Sequence, residues 1–184
     1  MKPTVLLLPG WHNSGPTHWQ SLWEAQHGYT RVQQHNWDWP LRGDWMAQLE
    51  TSVLQQPACV LVAHSLACIL VAAWAAYSTH THRVRGALLV APGDVERLEM
   101  QHLLPGWSPI ARARLPFAST LVVSRDDPFC SYLRASALGA AWGSRLVDVG
   151  ACGHINAESQ VGDWPQGHRL LEEFLLEEKT HHGH

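Results

Sequence analysis

Short, almost continuous apolar runs alternate along the chain with longer stretches whose apolar residues recur at helical spacing. "TVLLLP" (Thr4 to Pro9), "ACVLVA" (Ala58 to Ala63), "VRGALLVAP" (Val84 to Pro92), "STLVVS" (Ser119 to Ser124) and "RLVDVG" (Arg145 to Gly150) have the length and branched side chains of strands. "TRVQQHNW" (Thr30 to Trp37) reads as a weak edge strand. Between them, "PTHWQSLWEAQH" places Trp19, Leu22 and Trp23 on one helical face, and "GDWMAQLETSVLQQ" is a second helix. "SLACILVAAWAAYST" is apolar nearly all round, so it predicts a buried helix. Further helices are expected near Ser131 to Trp142 and from about Gln166 to Lys179.

About six strands alternating with helices imply an α/β fold, a doubly wound parallel sheet in three layers. Sites in such folds lie beyond the carboxyl ends of the strands, which ranks the candidate residues. The longest irregular stretch, Gly93 to Phe117, is the candidate cap over a site.

The chain has 184 residues, which suits one domain over residues 1 to 179 followed by a His-rich tail at 180 to 184. Hydrophobic content of 46%, charged content of 16% and a formal charge of -3 describe a globular chain without a basic field for nucleic acid or anionic lipid. The apolar run in "MKPTVLLLPG" is too short for a secretory core, and no stretch suits a bilayer span. Cys59, Cys68, Cys130 and Cys152 form no C-x-x-C pair, so free thiols in a reducing cytoplasm are expected. A small-molecule partner is therefore expected, and the residues indicate no protein partner.

The strand ends carry the chemistry. "PGWHNSG" follows the first strand, "HSLA" the third, "RDDPF" the fifth and "ACGHINAES" the sixth. A serine, a carboxylate and a histidine appear in that order, the set that nucleophilic acyl transfer requires. Ser65 lies between Ala63 and Ala67, the next smallest choice where G-x-S-x-G has glycines; the alternative is a helix N-cap. Asp127, before Pro128, is favoured over Asp126 as the carboxylate, with Asp94 a more distant alternative. His154 follows a glycine in the last loop, where an imidazole can reach over the sheet.

The backbone N–H groups of Trp11 and Leu66 are candidate oxyanion donors, each worth about 3 kcal/mol in a transition state. Trp11 and His12 are expected to line the substrate pocket. His64 is expected to pack and hydrogen-bond, pointing away from Ser65. No metal or cofactor is expected: "HTH" at His80 to His82 and the terminal "HHGH" lack partners at ligand spacing, and Gly10 and Gly15 form no phosphate-binding motif.

"PGWHNSGPTHWQSLWE", "HSLA", "LVAPGDVER", "DDPF" and "GHINAESQVGDWPQG" together resemble the small serine hydrolase family that includes retinoblastoma-binding protein 9 and the YdeN-type hydrolases. The resemblance spans nearly the whole chain and implies a compact α/β-hydrolase fold. It implies Ser65 as nucleophile, Asp127 as acid and His154 as base, acting on small esters or related acyl compounds through an acyl-enzyme. Some members of that family are discussed as protein-binding modules. The alternative is thus a catalytically weak module that keeps the three residues and presents its tryptophan-rich face to a partner.

Overall fold

A computed structural model describes residues 1–176. The expected tail and the last residues of the closing helix lie outside the described residues. Six parallel strands, β1 (Thr4–Leu8), β2 (Thr30–Arg31), β3 (Cys59–His64), β4 (Val84–Val90), β5 (Ser119–Val123) and β6 (Arg145–Asp148), form one sheet in the order β2-β1-β3-β4-β5-β6. The expected edge strand is shorter than "TRVQQHNW" suggests, since only Thr30 and Arg31 pair with β1, through Leu6 and Leu7. Helices α1 (Trp19–His27), α2 (Arg42–Leu54), α3 (Leu66–Tyr77), α4 (Leu98–Leu103), α5 (Tyr132–Trp142) and α6 (Pro165–Leu176) connect or follow the strands. This is the doubly wound arrangement of a parallel sheet covered by helices on both faces that the strand and helix alternation predicts.

Alternation along each strand divides the core into two layers. Leu6, Leu8, Leu61, Ala63, Ala87, Leu89, Leu121 and Val123 pack with α2, α3 and α5 on one face. Val5, Leu7, Val60, Val62, Leu88, Val90 and Val122 pack on the other with Trp19 and Trp23 of α1 and Leu171 and Phe174 of α6. All six residues of β3 are buried because both faces are covered, which explains its unbroken apolar run. Helix α3 is buried from Leu66 to Trp74, as its all-round apolarity requires.

From β1 the chain steps outward to β2 and then returns to the opposite side of β1 as β3. The winding reverses at this point, so the carboxyl ends of β1 and β3 border an open crevice. The sequence places Pro9 to His18 and Ser65 there. The segment from Gly93 to Phe117 is not wholly irregular, for it contains α4. Six residues are too few to display an apolar period, and α4 is held by tertiary bonds such as Arg97 to the Pro128 carbonyl oxygen at 2.6 Å.

Candidate active site

Ser65 occupies the single-residue turn between β3 and α3, with φ 58° and ψ −119°. A non-glycine residue adopts this backbone only where the surroundings enforce it. Here the Ser65 N–H donates to the Val90 carbonyl at 3.0 Å, and its carbonyl accepts from the Cys68 N–H at 3.0 Å. Ala63 and Ala67, both fully buried, leave room for the turn. The Ser65 side chain makes no capping bond to α3, so the N-cap alternative does not describe it. The hydroxyl is turned to His154 instead.

His154 Nε2 lies 2.7 Å from Ser65 Oγ, and its Nδ1 is 3.0 Å from both carboxylate oxygens of Asp127. A carboxylate can only accept, so Nδ1 carries the proton and Nε2 presents its lone pair to the Ser65 hydroxyl. The side chains of His154 and Asp127 are 9% and 3% exposed, which shields their hydrogen bond from water. Asp127 Oδ1 also accepts from the Phe129 N–H at 2.9 Å. The Phe129 ring rests on the imidazole with centroids 4.6 Å apart.

The rival carboxylate has a different task. Asp126 Oδ1 accepts from the Gly153 N–H at 2.8 Å and from Ser124 Oγ at 3.0 Å, and Ser124 Oγ accepts from the Cys152 N–H at 2.9 Å. These bonds, the Gly153 N–H first, lower the Asp126 pKa and fasten the loop that carries His154. Asp94 is paired with Arg134, with a closest approach of 3.4 Å, and does not bond His154. His64 makes no hydrogen bond to Ser65; its Nε2 donates to the His154 carbonyl at 2.9 Å. Burial, then the nearby His154 and His18, hold His64 well below the usual histidine range, so it stays a neutral brace for the loop. Cys68, one turn into α3, donates its thiol to Val90 and Ala63 carbonyls, and burial pushes its pKa upward.

Gly10 comes so close to the nucleophile turn that a Cβ there would meet His64 O at 2.9 Å, Ser65 Cβ at 3.1 Å and Leu66 N at 3.2 Å. The β1 loop is therefore pressed against the start of α3, and Trp11 and Leu66 border the same cavity. Among the described residues neither backbone N–H meets a protein acceptor. A cavity of about 360 Å³ opens above Ser65 and is bordered by Trp11, His12, Leu66, Val95, Met100 and Leu104. Trp11 is fixed by its Nε1 bond to the Asp38 carbonyl at 3.0 Å and stacks on His12. His12 Nδ1 lies 2.8 Å from Asp38.

The serine hydrolase family profile matches residues 5–173, nearly the whole described chain. The chain belongs to the serine hydrolase family. A YdeN-like hydrolase from Pectobacterium atrosepticum is 32% identical, with 94% of this chain and 90% of that one covered at a TM-score of 0.80. The ydeN product of Bacillus subtilis is 18% identical, with coverage of 94% and 98% and a TM-score of 0.75. A Bacillus cereus carboxylesterase, 15% identical, covers 94% and 87% at a TM-score of 0.57 and shares the fold. No curated protein matches the chain. Family and fold thus make this protein a hydrolase.

The structure also brings to this serine hydrolase site residues that strand-end reading passes over. A Cβ on Gly93 would lie 3.5 Å from Ser65 Oγ, and Gly93 follows β4, the neighbour of β3. Its position after a central strand was the available signal. Phe129 ends the strand-end stretch "RDDPF" and His18 lies in "PGWHNSGPTHWQSLWE", but the ring contact of the one and the buried nitrogen of the other depend on tertiary packing. Among the described residues no helix is long and apolar enough to cross a membrane.

Proposed function

We propose that the protein hydrolyses small, neutral carboxylic esters through Ser65, His154 and Asp127. The observation that carries this reading is the unbroken chain from Ser65 Oγ to His154 Nε2 at 2.7 Å and from Nδ1 to Asp127 at 3.0 Å, set on a strained turn. As Ser65 Oγ bonds to the carbonyl carbon, its proton passes to His154 Nε2, and Asp127 holds the resulting imidazolium. The carbonyl oxygen becomes an anion facing the Trp11 and Leu66 N–H groups. Collapse breaks the bond to the alcohol, which leaves with the proton from Nε2. Water then gives its proton to the same nitrogen as it attacks the acyl-enzyme, and Ser65 is restored with release of the acid.

The cavity supports the choice of substrate. At about 360 Å³ it stands at the small end of ligand sites, and its apolar lining suits a short acyl chain. Its ionisable border residues include Asp94 and Glu158 but no lysine or arginine, which disfavours anionic substrates. The test is stopped-flow hydrolysis of p-nitrophenyl acetate, butyrate and octanoate. A burst of nitrophenol near one equivalent, fastest for the two shorter chains and abolished in Ser65→Ala, supports the reading. Equal hydrolysis by Ser65→Ala overturns it.

A further inference from the structure

The geometry points to His18 as a specificity-determining residue that donates a hydrogen bond from Nε2 to a neutral oxygen of the substrate, beside the ester being cleaved. This rests on the ester-hydrolase reading of the site and extends it. The mechanism above leaves His18 unused, although it borders the same cavity as Ser65 and is only 5% exposed.

The tautomer follows from a single contact. His18 is the N-cap of α1, and its Nδ1 accepts from the Gln20 backbone N–H at 3.0 Å. A backbone N–H can only donate, so Nδ1 is unprotonated and Nε2 bears the hydrogen. That Nε2 is buried and has no hydrogen-bond partner in the protein. A buried donor left unmet costs about 1 to 3 kcal/mol, so an oxygen placed against it gains more than one placed against water. The His64 ring, edge-on at 4.8 Å and 67°, offers at best a weak aromatic acceptor.

The donor is also permanent. Burial, then the charge of Arg31 and then His154, depress the His18 pKa to about 3. Protonation would moreover set a second N–H against that of Gln20. His18 therefore serves neither as a base nor as a cation, but as a fixed neutral donor. Its ring and that of His154 lie on the same His64 ring, at 4.8 and 4.9 Å, so the donor stands one imidazole away from the reacting bond. With acidic residues and no cationic side chain on the cavity border, the complementary group is an uncharged hydroxyl, ether or ketone oxygen. Substrates would then be hydroxy-, alkoxy- or oxo-substituted esters rather than plain alkyl esters.

His18→Asn separates the two roles of the ring, because the asparagine oxygen still caps Gln20 while the Nε2 donor is lost. The experiment measures kcat/KM for butyrate and 3-methoxybutyrate esters of one alcohol, and for butyrate esters of propanol and 2-methoxyethanol. Comparing the ratio within each pair between enzymes cancels the inherent reactivity of the substituted ester. The wild type should favour the oxygenated member of one pair, and His18→Asn should reduce that ratio about tenfold, the size of one hydrogen bond. His18→Gln, which returns an N–H toward the Nε2 position, should recover part of it. The pair that responds tells whether the oxygen sits on the acyl or the alcohol side. Unchanged ratios in both pairs, with turnover intact, overturn the role of His18 alone. Absence of turnover together with absence of a nitrophenol burst from the short-chain esters overturns the hydrolase reading and this one with it.

Discussion

The two walls of the cavity are held by different forces. One wall, made by the β1 loop, the Ser65 turn and the His154 loop, is neutral at its heart: His18, His64 and His154 are all buried and joined by ring contacts and bonds to backbone. The other wall, the segment from Gly93 to Phe117, is tied down by charge. Glu96 bonds Arg112 at 2.7 Å and pairs with Arg134, Asp94 pairs with Arg134, and Arg97 reaches the Pro128 carbonyl. Buried neutral contacts resist salt. Partly exposed ion pairs such as these yield to salt and acid. The difference assigns chemistry to the first wall and coverage to the second.

The strongest way to break that comparison is at the paired aspartates. Asp127→Asn should lower kcat about 10⁴-fold, because it removes the anion and permits the wrong tautomer of His154. Asp126→Asn acts only through the Gly153 and Ser124 bonds, so a loss of about tenfold is expected from the same assay. A larger loss in Asp126→Asn would interchange their tasks.

Gly10 tests how closely the first wall is fitted. A methyl group there meets backbone of His64 and Leu66, neither of which can turn aside as a flexible side chain would. Gly10→Ala should therefore displace the Trp11 N–H and cost about 100-fold in kcat/KM. Substrate affinity should change less than kcat, since the oxyanion forms only after binding. An unaltered kcat would remove Trp11 from the oxyanion site.

Acid separates the walls by smaller amounts. His18 has a folded pKa of about 3 against an ordinary 6.5, so below pH 6.5 the unfolded chain binds a proton that the folded chain refuses. Stability must then fall as pH drops, by about 2 kcal/mol between pH 6.5 and 5 from this residue. Glu96 is held at about 2 against 4.5, first by Arg112; its contribution is present above pH 4.5 and is lost on acidification toward 2. Urea unfolding at pH 7 and pH 5 should show the loss in wild type and Glu96→Gln, and about 2 kcal/mol less of it in His18→Asn. Glu96→Gln itself should cost about 1 kcal/mol at pH 7. A pH response that disappears in Glu96→Gln would reverse the assignment.

Much of the first wall was legible because chain order and strand alternation locate it. Four strand-end segments supplied Ser65, Asp127, His154, Trp11 and Leu66, and the structure brings Ser65, His154, Trp11 and Leu66 to one cavity, with His12 at its border and Asp127 behind His154. Two-sided burial explains why "ACVLVA" was plain, and why β2, with two residues pairing on the edge, was not. The second wall was harder to read because α4 is short and its hold depends on charges from α5 and from Arg112, distant in sequence. His18 was hidden for another reason. In sequence "THWQ" reads as the start of an amphipathic helix, and only the fold shows that the capping ring borders the cavity with its second nitrogen unpartnered.

The central claim is that Ser65 is a nucleophile activated by His154, and labelling with a fluorophosphonate followed by peptide mapping tests it most directly. The account predicts one phosphonyl group on Ser65 of the wild-type chain, much slower labelling of Asp127→Asn, and none of Ser65→Ala. Labelling of Ser65→Ala to the wild-type extent, or an unlabelled Ser65 in an enzyme that still hydrolyses esters, would contradict it.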